Sequence, residues 1–170
     1  MKFREVQRFR QKWLWPFLAA VPLSLIGIFG YGMIQQLVLG RPWGDRPLSD
    51  TALAVIGPLM ILLGIGLTLL FFKMKLLTEV REDGMHINFV PLARRTVLFA
   101  NIISCEVRTY NPIREYGGWG ARFGPAGKAY NVSGNRGVQL KLSNGERLLI
   151  GSQRPEELAQ AVQAGMNGQK

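Results

Sequence analysis

Two stretches near the N-terminus contain no charged residue: LWPFLAAVPLSLIGIFGYGMIQQLVL, from Leu14 to Leu39, and ALAVIGPLMILLGIGLTLLFF, from Ala52 to Phe72. A helix needs about 20 apolar residues to cross a bilayer core, and both stretches reach that length. Neither has the polar stripe of a helix at a protein surface. A chain of 170 residues could hardly cover two such helices on all sides. The pattern therefore predicts two transmembrane helices, residues 14–39 and 52–72, joined by a loop over 40–51 in which Pro42, Gly44 and Pro47 suit a turn. A cleaved signal peptide fits less well, because the first run is long and a second span follows directly.

Within the spans, Gly27, Gly30, Gly32, Gly57, Gly64 and Gly66 would let helix backbones approach closely. Gln35 and Gln36 suit either the headgroup layer or a hydrogen bond between helices or subunits. Residues 1–13 place Phe3, Val6, Phe9 and Trp13 at helical spacing, with Arg4, Arg8 and Lys12 on another face. That spacing predicts a basic amphipathic lead-in lying at the membrane interface through Phe3, Phe9 and Trp13. A simple extension of the first span with snorkelling cations fits equally.

From Leu76 the period falls to two. Leu76–Val80 and Met85–Val90 read as strands around a Glu82-Asp83-Gly84 turn, and Pro91 ends the second. Arg94–Phe99 is extended, Ala100–Ile103 suits a helical turn, and Ser104–Tyr110 alternates. Asn111–Asn135 differs: six glycines stand among Tyr116, Trp119, Phe123 and Tyr130. It is too aromatic for a disordered linker and is read as strands at Trp119–Phe123 and Lys128–Val132. Gly137–Leu142 and Glu146–Ile150 flank an Asn-Gly turn, a strong hairpin signal. Pro155-Glu156-Glu157 opens a helix, with proline in its first turn and acids at its positive end, that ends near Gly165. The domain is expected over 73–165, with a tail at 166–170.

Charge orients this arrangement. The formal net charge is +10. Lys2, Arg4, Arg8, Arg10 and Lys12 precede the first span, and Lys73 and Lys75 follow the second, whereas Arg41 and Arg46 are balanced by Asp45 and Asp50 in the loop. The positive-inside rule puts both termini in the cytoplasm and residues 40–51 outside, as a multi-pass protein of the inner (cytoplasmic) membrane. The densest basic cluster abuts a span, so a lipid bilayer with anionic lipids, rather than nucleic acid, is the expected partner.

Chemistry is sparse. Cys105 is the lone cysteine and His86 the lone histidine, too few for a His/Cys metal centre built by one chain. No nucleophile–base set is apparent, GGWGARFG does not fit a phosphate loop, and no cofactor, metal or catalytic residue is expected. Arg114, Arg122, Lys128 and Arg136 bracket the aromatic–glycine segment as candidate lipid or anion contacts. Tyr116, Trp119, Phe123 and Tyr130 are candidate oligomer or membrane contacts.

Seven or so strands followed by one helix is the order of a pleckstrin-homology (PH)-like fold. With FREVQRFRQKWLW, the two spans, REDGMHINFVP and GVQLKLSNGERLLIGSQRPEELAQAV, the chain resembles bacterial membrane proteins that join two transmembrane helices to a PH-like domain. The resemblance implies a membrane α+β architecture: an N-terminal two-helix hairpin, then a bent antiparallel sheet of about seven strands with a C-terminal helix. The expected function is a non-enzymatic membrane-anchored scaffold that self-associates into a homo-oligomer. The alternatives are an anionic-lipid-reading module, or an accessory subunit bound to another membrane protein in a transporter or enzyme complex.

Overall fold

A computed structural model of the chain describes residues 2–9 and 11–168. It divides into one unit of Met1–Phe9 with Lys73–Lys170 and another of Arg10–Phe72.

The second unit is a helical hairpin. Helix α1, Leu14–Val38, and helix α2, Asp50–Lys73, are both long and apolar enough to cross a membrane. Two turns of α1, Ile26–Gly30 and Ile34–Val38, are π-helical. Three of the six glycines make the hairpin fit, two between the helices and one under the loop. A Cβ on Gly64 would lie 2.7 Å from Leu25 Cδ1, one on Gly57 2.9 Å from Met33 Sδ, and one on Gly32 2.5 Å from the Trp43 ring. Gly27, Gly30 and Gly66 face open space. Thr68 Oγ1 donates across the hairpin to the Leu18 carbonyl at 2.9 Å. Gln36 is buried, and its Nε2 donates to Leu48 O and Asp50 Oδ1, both at 2.7 Å. Its amide thus joins the end of α1 to the start of α2, the inter-helix alternative of the two roles expected for it.

The first unit is a β-rich domain. Strands β1 (Phe3–Arg8), β2 (Lys75–Val80), β3 (Gly84–Val90) and β4 (Ala93–Leu98) form one sheet in that order, all antiparallel. A second sheet runs β5-β8-β9-β7-β6, with β5 Ile102–Thr109, β6 Gly120–Gly124, β7 Gly127–Asn131, β8 Arg136–Leu142 and β9 Arg147–Gly151. Between β5 and β6 lies a short helix α3, Pro112–Tyr116, capped by Asn111 Oδ1, which accepts from the Ile113 and Arg114 amides. Helix α4, Pro155–Asn167, ends the fold. Phe89, Met85 and Ile87 of the first sheet, Leu140, Leu148 and Ile150 of the second, and Leu158 of α4 are fully buried. Gly165 lets α4 sit on the Phe99 ring, where a Cβ would approach within 2.1 Å of Phe99 Cζ.

Two expectations need correction. Phe3–Arg8 is a strand, not an amphipathic helix, and Phe3 and Phe9 are core residues. Arg10 and Met1, also in that expectation, lie outside the described residues, as do 169–170 of the tail. The strand was disguised because polar side chains occupy its inward positions. Glu5 accepts from Ser152 Oγ at 2.5 Å and the Gln153 amide at 2.8 Å, and Gln7 Nε2 donates to Gly151 O at 2.7 Å. Second, the β-structure is nine strands in two sheets among the described residues, and β7 pairs parallel with β9. The extra hairpin and α3 come from the aromatic–glycine segment.

Candidate functional site

Alternation along β1–β4 turns one set of side chains away from the core. Arg4, Val6 and Arg8 are exposed between the buried Phe3, Glu5, Gln7 and Phe9. Strand register aligns these outward positions in rows: Arg8 opposite Lys75; Val6, Leu77, Asn88 and Arg94; Arg4, Glu79, His86 and Thr96. Three consequences follow. The outer face is strongly basic. Its first two strands, β1 and β2, are paired although the whole helical hairpin separates them in sequence. The chain departs beyond Arg8 and returns at Lys75, so a cation stands at each end of the insert.

The middle of this face is a groove of about 310 Å³, lined in part by Glu79, Arg81, His86, Asn88, Arg94 and Thr96. Glu79 is buried and held by Arg81, at 2.6 Å, and Arg4, at 3.2 Å. His86 Nε2 lies 2.9 Å from Asp83 Oδ1, and its Nδ1 lies 3.1 Å from Thr96 Oγ1. The hydrogen bond from His86 holds the Asp83 carboxyl below the usual carboxylate range. Arg95, also on the groove wall, makes a two-pronged contact with Glu146 at 2.7 and 2.6 Å. That contact, helped by Lys128 at 3.2 Å, lowers the Glu146 carboxyl to about 2 and raises Arg95. Among the described residues Arg94 has no ion-pair or hydrogen-bond partner, and it is exposed. A cluster of fixed donors around one unengaged guanidinium suits an anion.

Residues 1–168 match the model of a family of unknown function, DUF6141. The chain belongs to that family. No curated protein and no solved structure matches it.

In this DUF6141 chain, the four cations expected to form a lipid-binding rim are not gathered into one site. Lys128 is paired with Glu146 and Arg136 with Glu156. Arg122 donates to the Trp119 carbonyl at 3.0 Å, and Arg114 is exposed on α3. The four aromatics also divide. Tyr116 is a core residue, packed edge-on against Tyr110 at 5.9 Å, and so is unavailable as a surface contact. Tyr130 packs on Phe89, and Trp119 Nε1 donates to Gly134 O at 3.0 Å. Phe123 alone of the four projects, at 78% exposure. Trp13 is exposed at the start of α1, whereas Phe9 packs on Phe89 at 6.4 Å and Phe3 lies under the Arg154 guanidinium.

Cys105 is buried and desolvation pushes its thiol up to about 12, the state of an unreactive apolar residue. Among the described residues no group of three His, Cys, Asp or Glu side chains is placed to hold a metal ion. The residues missed in the sequence, Arg81, Arg94, Arg95 and Thr96, have a signal only in register. Arg94 and Thr96 share an outward face with His86 and Asn88 once β3 and β4 are aligned.

Proposed function

We propose that this DUF6141 protein is a non-enzymatic scaffold of a bacterial inner membrane. Its two helices span the bilayer, its PH-like domain lies at the cytoplasmic face, and copies self-associate through both parts. The observation that carries the reading is the pairing of Arg8 with Lys75 at the mouth of the helical insert. Like charges directly opposite in a sheet are destabilising, and an anionic leaflet at that point offsets the repulsion. A strand pair also returns the chain to where it left, which a two-span insert requires. The helices support it as well: Phe17, Leu23, Val55, Leu62 and Phe72 each expose more than half their surface, an arrangement at home in lipid.

A PH-like reading draws support from topology. With α3, β6 and β7 set aside, the order is a four-stranded meander, a three-stranded sheet β5-β8-β9, and a closing helix. Self-association draws support from Gly27, Gly30 and Gly66, whose outward faces leave room for another backbone. Phe123 offers a second exposed apolar contact. Cross-linking tests the reading: Gly27→Cys in native membranes should form an oxidised dimer, and Phe17→Cys on the same helix a weaker one. Monomer throughout, with cross-links to a different polypeptide, would replace the scaffold with an accessory subunit.

A further inference from the structure

We propose that the groove on the outer face of β2–β4 binds a phosphate-bearing anion, and that a proton on His86 strengthens the binding. The inference goes beyond the scaffold reading and rests on the sheet alone.

The groove is built for negative charge. Arg81 is fixed from one side by Glu79, with Nε at 3.0 Å and Nη2 at 2.6 Å. A guanidinium has five N–H donors, so Arg81 retains donors beyond those used on Glu79. Glu79 is engaged by two arginines, Arg81 and Arg4, so its charge is offset within the groove. Arg94 stands without a partner on the next strand, beside Asn88, its register neighbour. Arginine recognises phosphate by paired N–H donors. A volume of about 310 Å³ leaves room for the group esterified to it.

His86 sets the polarity of one more contact. A carboxylate only accepts, so Asp83 requires the proton on Nε2. In neutral His86, Nδ1 is then an acceptor, Thr96 donates its hydroxyl hydrogen to it, and the hydroxyl turns a lone pair toward the groove. In protonated His86, Nδ1–H donates to Thr96 Oγ1, and the hydroxyl hydrogen is released to an anion. The charged groups facing His86 are Asp83 on the turn before β3, Glu79 on β2 with Arg81 just after it, Arg94 on β4, and Arg4 on β1.

The experiment uses the full chain in phosphatidylcholine nanodiscs. Sulfate, which keeps its charge across the range, and glycerol phosphate are titrated at about pH 5.5 and pH 8. Saturable binding of both is expected, with sulfate several-fold tighter at the lower pH. Arg94→Gln should weaken binding by about tenfold, the loss of a charge-assisted contact. Thr96→Val, which keeps a β-branched strand residue, should leave binding at pH 8 and remove most of its dependence on pH. Native mass spectrometry with added phosphatidylglycerol distinguishes the ligand's source. Lipid adducts lost in Arg94→Gln identify a headgroup, and adducts equal in both proteins identify a soluble phosphate ester. Absence of saturable binding, or an Arg94→Gln protein that binds as the parent does, overturns the site. Tighter binding at pH 5.5 that persists unchanged in Thr96→Val overturns the role of the His86–Thr96 pair.

Discussion

Arg8 faces Lys75 as the last pair of the β1–β2 ladder, and all of α1, the loop and α2 lie between them in sequence. The helical hairpin is thus an insertion into a β-hairpin. Replacing residues 10–73 by a short Asn-Gly turn should leave a water-soluble domain with β1 still paired, because Gln7 holds β1 to Gly151 at the end of β9 and Glu5 holds it to Ser152 just after. Amide exchange would show protection of the Glu5 and Gln7 amides, which face β2. Rapid exchange there would mean that β1 depends on the helices.

The glycines of the hairpin should divide sharply. Gly64→Leu forces a side chain into Leu25 and Pro22 and should cost about 1–3 kcal/mol. Gly66→Ala meets nothing and should leave stability within about 0.5 kcal/mol. Thermal unfolding in detergent compares them directly.

The Arg95–Glu146 contact joins β4 to the turn before β9. Glu146 has its carboxyl lowered to about 2, so its contribution is present above the unfolded value near 4.5 and is lost as pH falls toward 2. Glu146→Gln should destabilise the protein by about 1 kcal/mol at pH 7, and the difference from the parent should shrink below pH 4. Urea unfolding at several pH values measures it.

Cys105, buried with its thiol raised, should resist maleimide at pH 8 in the native protein and react in denaturant. Reaction in the native state would mean that α4, whose Gln163 donates to the Cys105 carbonyl, opens readily.

Much of this was legible in the sequence, and the failures have physical causes. Uninterrupted apolar runs marked α1 and α2, and alternation marked β2, β3, β5, β8 and β9. β1 was hidden because Glu5 and Gln7 sit inward, satisfied by Ser152, Gln153 and Gly151, contacts remote in sequence. Tyr116 seemed a surface residue because nothing nearby shows that Ala129, Leu149 and Tyr110 will close around it. The basic groove was invisible for the same reason: Arg94 and Thr96 acquire their neighbours only through strand register. By contrast, the rim cations were visible but their carboxylate partners, Glu146 and Glu156, were not.

Cysteine accessibility tests the central claim most directly, since Cys105 is a silent background. Asp45→Cys in the loop and Lys141→Cys on β8 are exposed positions. In intact cells freed of their outer envelope, a membrane-impermeant maleimide should label Asp45→Cys at once, and Lys141→Cys only after the membrane is opened. Labelling of both without opening, or of Lys141→Cys alone, would contradict a two-span protein with its β-domain in the cytoplasm.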